Sequence, residues 1–193
     1  SELATELARR GGALIVRHGD ARIEIPRLAL ELGVDAVHLN ADYEPFAQRR
    51  DDAVRGALGA AGIALQIWKD QVLFEKDEIL TGAGKPFSVF TPYSRAWLKA
   101  LSASPPQSFH CSGPFATPPF PCAVPSLAEL GFEPAPLPLP AGERGAQALW
   151  QEFRTRMDGY RDARDFPARK GVSYLSAHLR FGTLSIRELA RFA

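Results

Sequence analysis

"AVHLNADYEPFAQRRDDAVRGALGAAGIALQI" (Ala36–Ile67) decides the fold. It opens on a short apolar run, Ala36–Leu39, of the kind that forms a buried strand. A polar loop follows. Pro45 stands at a helix-start position, where its missing N–H costs no intrahelical bond. A helix is expected over Glu44–Ala61. The next apolar run, Ile63–Ile67, reads as a second strand. Upstream, Ser1–Arg10 (SELATELARR) carries Leu3 and Leu7 one turn apart and ends at Gly11-Gly12, an amphipathic helix with a glycine stop. Ala13–Arg17 (ALIVR) is expected to be another strand. Pro26–Leu32 is expected to be a helix that offers Leu28, Leu30 and Leu32 to the core and ends at Gly33. Helix and strand thus alternate three times, the pattern of an α/β layer built on a parallel sheet. A sheet layer that begins on a helix implies a first strand before Ser1. The absence of an initiating Met fits a chain that has been cut or processed.

Composition narrows the class. The chain has 193 residues, 46% hydrophobic and 23% charged, which suits a globular domain or one domain and part of another. Net charge is +1, so only a local patch can argue for a nucleic-acid partner. No apolar run reaches the length of a membrane span, and Ser1–Arg10 is too charged for a secretory leader. A cytoplasmic, monomeric protein is expected. The four histidines have no metal-ligand spacing. Cys111 and Cys122 read as free thiols of a reducing compartment; the loop between them is long enough for a disulfide, but nothing else points to secretion.

Beyond the sheet layer come Val72–Phe74, a glycine turn at Thr81–Gly84, an extended Phe87–Phe90 and a helix that starts at Pro92 and carries Tyr93, Trp97 and Leu101. Of the 16 prolines, 11 lie between Pro105 and Pro140, so this stretch reads as an extended linker. The domain boundaries are therefore placed at 1–103, 104–140 and 141–193. After Pro140 the period becomes helical. Leu149, Phe153, Arg156 and Tyr160 share one face of a helix expected over Glu143–Tyr160. A loop rich in Arg and Asp, Arg161–Lys170, leads to a short helix at Leu175–Phe181, broken at Gly182. Ser185-Ile186-Arg187-Glu188 has the form of a capping box for a last helix.

Four stretches carry candidate chemistry, each beside a plainer reading. Asn40–Pro45 follows a strand, where open α/β sheets bind ligands; it also suits an ordinary strand-to-helix loop. Thr81–Pro86 (TGAGKP) lacks the spacing of a phosphate loop and reads as a turn. Arg161, Arg164, Arg169 and Lys170 suit phosphate contacts, although Asp162 and Asp165 offset half of their charge. Ser173 and Ser176 bracket a helix start, which suits either an anion or simple capping. No Ser-His-Asp set and no paired carboxylates point to chemistry performed by side chains alone.

Taken together, several segments resemble the DNA photolyase/cryptochrome family. Asn40-Ala41-Asp42-Tyr43-Glu44-Pro45 with Arg49-Arg50-Asp51 is similar to its N-x-x-Y-E-P…R-D segment. Gly84–Tyr93 (GKPFSVFTPY) resembles its G-x-x-Y-x-V-F-T-P-[FY] signature, with Trp97 and Leu98 following. Tyr160–Pro167 is similar to Y-x-x-x-R-D-x-P. Gly171–Ser176 resembles G-T-S-x-L-S, and Leu179, Gly182, Leu184, Ser185 and Arg187 match L-x-x-G-x-L-S-x-R. The resemblance implies a Rossmann-like α/β antenna domain over 1–103, its first strand outside this sequence. It also implies an interdomain connection over 104–140 and, from 141, the start of an all-α FAD-binding domain that continues beyond Ala193.

The implied activity is light-driven splitting of cyclobutane pyrimidine dimers in DNA by an electron from reduced FAD. Cryptochrome signalling and (6-4) photolyase activity are the alternatives within the family, and an α/β nucleotide-binding module the alternative outside it. By motif position, Tyr160 contacts FAD, and Val172, Ser173, Tyr174, Leu175 and Ser176 cradle its phosphates. Arg164 meets a phosphate of the damaged DNA. No catalytic residue falls within this sequence, and these residues alone are expected to bind FAD weakly and repair nothing. Trp68, Trp97 and Trp150 lie outside the region of the family's electron-transfer tryptophans. Two departures stand out. Val172 replaces the usual Thr, which removes a hydroxyl and keeps a backbone N–H. Ala47 replaces the Glu of folate-antenna members, which points to a flavin or deazaflavin antenna, or none.

Overall fold

In the computed structural model, residues 1–107, 109, 113–133 and 135–192 are described. The chain forms two compact units, residues 1–68 with 112–138, and residues 69–111 with 139–193.

The first unit is α/β. Helix α1 (Glu2–Arg9) is capped by Ser1, whose Oγ accepts the Ala4 N–H at 3.2 Å. Helix α2 (Ala21–Leu32) precedes strand β1 (Ala36–Asn40), and helix α3 (Pro45–Ala60) leads to strand β2 (Ala64–Trp68). The strands pair in parallel, with Ala36 opposite Ala64 and Asn40 opposite Trp68. Pro45 occupies the first turn of α3, as its fixed φ favours. Ala47, Asp51, Val54 and Leu58 recur at helical spacing along α3 and are buried. Val54 and Leu58 meet Ala29 of α2 and Ile63, and the register partners Val37 and Leu65 pack against this cluster. The Asp51 carboxylate is buried and is held by the Arg50 guanidinium, with Nε 2.8 Å away.

Three expectations for this unit change. Ala13–Arg17 is not a strand; the described sheet contains only β1 and β2. A strand exists through its ladder, and this segment is held by side chains instead. Arg17 pairs with Glu31 at 2.5 Å and lies over the Phe120 ring; just before the segment, Thr117 Oγ1 donates to the Gly11 carbonyl at 3.3 Å. Helix α2 begins five residues earlier than expected, because Asp20 caps it by accepting the Arg22 N–H at 2.9 Å. Pro26 is therefore inside the helix, which forgoes one backbone bond there. Its inward face is set by Ala29, while Leu30 is 60% exposed. Gly33 does end α2, in the left-handed conformation at φ 61°.

In the second unit, Thr81–Lys85 is a closed turn: the Gly84 N–H donates to the Thr81 carbonyl, and the Thr81 N–H to that of Lys85, both at 2.8 Å. Helix α4 (Phe90–Ala103) starts two residues before Pro92, with Val89 as its extended cap residue. Proline is accepted in the first turn, so it need not mark the first residue. Trp97 meets Phe74 edge-on at 5.7 Å.

Helix α5 (Gly142–Arg154) is followed by a 3-10 turn at Met157–Gly159, helix α6 (Tyr160–Ala163), helix α7 (Ser176–Arg180) and helix α8 (Ile186–Phe192). Ala146, Leu149, Leu175 and Leu184 form the core, flanked by Leu139, Trp150, Leu179 and Leu189. Ser185 caps α8 through the Arg187 N–H at 3.3 Å, the second helical donor rather than the third that a capping box uses. Arg187 itself donates to the Lys69 carbonyl at 2.7 Å and pairs with the Asp70 carboxylate. Cys122 is a free thiol, and Cys111 lies outside the described residues. No helix among the described residues is long and apolar enough to cross a membrane.

Candidate functional site

The segment from α5 to α7 gathers every residue singled out for the cofactor and for DNA. Its geometry begins where α5 ends. The helix expected to run on to Tyr160 stops at Arg154, and at Arg156 the backbone leaves the helical region (φ −132°, ψ 4°). That break releases the Arg156 side chain from the helix face and lets it reach a later loop. Its Nη1 donates to the Lys170 carbonyl at 2.6 Å, and its Nη2 to the Val172 carbonyl at 2.7 Å. Nε and Nη2 also grip both carboxylate oxygens of Glu152, at 2.8 and 3.1 Å. The guanidinium lies against the rings of Phe153 and Tyr174. Charge-assisted, two-pronged bonds of this kind are the strong class of hydrogen bond. The hydrogen bond from Arg156, helped by Lys170 Nζ at 3.1 Å, brings the Glu152 carboxyl down to about 2.

Between the two gripped carbonyls sits Gly171, which is buried. A Cβ there would come within 2.5 Å of the Ala163 carbonyl carbon and oxygen at the end of α6. The close approach of two backbones therefore requires glycine. Tyr160, at the start of α6, packs edge-on against Phe153 at 6.2 Å and carries the Arg164 guanidinium over its ring at 5.7 Å. Arg164 follows α6; half of its side chain is exposed, and Asp165 is its neighbour at 3.6 Å. The stretch expected to be a loop from Arg161 thus begins as a helical turn.

Val172 is partly exposed. Ser173 Oγ accepts the Leu175 N–H at 3.4 Å, a long bond that leaves the hydroxyl hydrogen to donate elsewhere. Among the described residues Tyr174 is the one non-glycine with positive φ, at 57°. Such a conformation costs about 1–3 kcal/mol and is held in place by its surroundings. Leu175 anchors the turn in the core at 2% exposure, and the exposed Ser176 opens α7, which has no side-chain cap. Two hydroxyls and the backbone N–H groups of a helix start without a side-chain cap are donors, a set that fits a phosphate ester. Thus Tyr160, Arg164 and residues 172–176 all belong to one unit, joined through Phe153 and Arg156. Sequence reading placed Arg156 only on a helix face. Its spacing of four from Glu152 was the visible signal, since such pairs meet on a helix.

In the first unit, a cleft of about 620 Å³ is lined by Gly19–Arg22, Phe46, Arg49 and Arg50. Phe46 exposes its ring to it, while Ala47 is buried and brings no polar group.

Residues 1–112 match the family model described as DNA photolyase. The chain is 38% identical to a deoxyribodipyrimidine photo-lyase of Synechococcus, with all of this chain and 42% of that protein aligned. It superposes on a class III photolyase from Agrobacterium tumefaciens with TM-score 0.77 at 28% identity, covering 95% of this chain and 39% of that one. An archaeal photolyase from Sulfolobus tokodaii, solved with two FAD molecules, gives TM-score 0.63 at 26% identity, covering 97% and 40%. The chain therefore spans well under half the length of these relatives. The α/β layer with its parallel strands and the family match over more than half its residues agree: this chain belongs to the DNA photolyase family.

Proposed function

We propose that the whole protein is a light-dependent DNA lyase that splits cyclobutane pyrimidine dimers, and that this chain supplies its antenna layer and the first wall of its FAD site. The observation that carries the reading is the turn at 171–176, where a constrained backbone presents hydroxyls and the N–H groups of a helix start without a side-chain cap. Residues 1–103 form the antenna domain, 104–140 the connection and 141–193 the start of the cofactor domain. Val172, Ser173, Tyr174, Leu175 and Ser176 hold the FAD phosphates, Val172 and Leu175 through main-chain groups only. Tyr160 offers its ring edge and hydroxyl to the same cofactor. Bound FAD, once reduced and excited by light, supplies the electron that breaks the dimer. The protein's part is to bind, orient and exclude water. In the first unit, the arginine-lined cleft with the exposed Phe46 ring suits a flavin or deazaflavin antenna, and Ala47 offers folate no carboxylate. The protein acts as a cytoplasmic monomer.

The damaged strand reaches the protein through Arg164, whose exposed guanidinium meets a phosphate. Arg164→Ala in the flavin-loaded whole protein is expected to weaken binding to dimer-containing and undamaged duplex alike. It is also expected to lower the slope of log K against log salt by about 1. Titrations at several salt concentrations measure this. An unchanged slope removes Arg164 from the DNA contacts. A cryptochrome remains the second reading, and a protein that holds FAD yet ignores dimer-containing DNA would support it.

A further inference from the structure

We infer that Arg156 is a positioning residue for the FAD phosphates: it fixes the Lys170–Gly171 and Val172–Ser173 peptide planes and so aims the Ser173 N–H at the cofactor. This rests on the proposal that residues 172–176 hold those phosphates. In a trans peptide the C=O and the following N–H point in opposite directions, and no cis peptide occurs among the described residues. Arg156 draws the carbonyls of Lys170 and Val172 toward itself. The N–H groups of Gly171 and Ser173 must then point away from it. The first of these does so, donating to the Arg169 carbonyl at 2.8 Å. The second is Ser173, at the centre of the proposed cradle.

The clamp is itself held rigid. Glu152 takes the Nε–Nη2 edge of the guanidinium, Lys170 Nζ returns to the same carboxylate, and the rings of Phe153 and Tyr174 lie against the guanidinium. Gly171 cannot retreat, because Ala163 lies behind it. The loop is thus pinned at 170, 171 and 172 before the left-handed turn at Tyr174. A planar fork with several donors is needed to hold two carbonyls and a carboxylate at once, so lysine cannot replace arginine here. Main-chain N–H groups replace the hydroxyl that Val172 lacks, which makes their orientation matter more in this chain.

The test uses the flavin-loaded whole protein and its Arg156→Ala and Arg156→Lys variants. FAD affinity is measured by fluorescence titration, and the bound pyrophosphate is observed by 31P NMR. Both variants are expected to bind FAD about 10- to 100-fold more weakly, the loss of one or two charge-assisted bonds. Both should also shift the 31P resonances. Free guanidinium, but not ammonium, is expected to restore part of the affinity of Arg156→Ala. If Arg156→Ala does not fold, Arg156→Lys, which keeps a cation beside Glu152, decides alone. Unchanged affinity and unchanged 31P shifts in a folded variant overturn the role of Arg156. A whole protein that takes up no FAD overturns the phosphate-site reading itself, and the role of Arg156 with it.

Discussion

Gly171→Ala is expected to destabilise the second unit by about 1–3 kcal/mol, the usual cost of forcing a methyl into filled space, and to release FAD from the whole protein. The added Cβ would lie 2.5 Å from the carbonyl carbon and oxygen of Ala163. Both are backbone atoms at the end of α6, so no side-chain rotation relieves the overlap. Either the α6 terminus moves, taking Tyr160 and Arg164 with it, or the loop moves and loosens the bonds from Arg156 to Lys170 and Val172. Urea unfolding reads the stability change, and flavin absorbance of the purified protein reads the cofactor. Ala163→Gly in the same background should give little rescue, because it removes only the contact with the Ala163 Cβ at 2.9 Å. Wild-type stability and full flavin content in Gly171→Ala would show that the two backbones do not need to meet this closely.

Leu58→Ala is expected to cost about 2–5 kcal/mol, the range for emptying a leucine site in a packed interior. Leu58 is fully buried and stands between α2, α3 and the sheet, against Ala29, Val54 and Ile63. Its carbonyl also accepts the N–H groups of Ala61 and Ile63, each at 3.0 Å, where α3 ends and the chain turns into β2. The cavity would therefore open beside the turn that sets the strand register. The urea midpoint should fall while its slope is kept. Leu30→Ala is the control: that side chain is mostly exposed, and its replacement should stay within about 0.5 kcal/mol. Equal effects at the two positions would mean that the core lies elsewhere.

The stretch from Ala36 to Trp68 was legible because its signals agree: short apolar runs, a proline at a helix start and a buried stripe at helical spacing. Ala13–Arg17 was not. Its composition favours a strand, but a strand requires a neighbour, and composition carries no record of one. The early start of α2 turned on Asp20, whose capping bond outweighed the proline inside the helix. At the site, motif spacing picked out Tyr160, Arg164 and residues 172–176, and the structure brings them into one unit. It could not show that Arg156 leaves its helix. The apolar period runs on through Phe153 and Tyr160, whereas the backbone leaves the helix at Arg156, whose side chain bonds the distant carbonyls of Lys170 and Val172. Nor could motif spacing show what Gly171 is for: its backbone lacks positive φ, and what its position needs is space.

The most direct measurement follows a cyclobutane-dimer oligonucleotide under blue light in the presence of the whole protein carrying reduced FAD. Restored pyrimidines should appear in the light and not in the dark, at more than one dimer per protein. If the protein binds stoichiometric reduced FAD and the damaged DNA, yet leaves the dimer intact under light, it is not a dimer-splitting lyase.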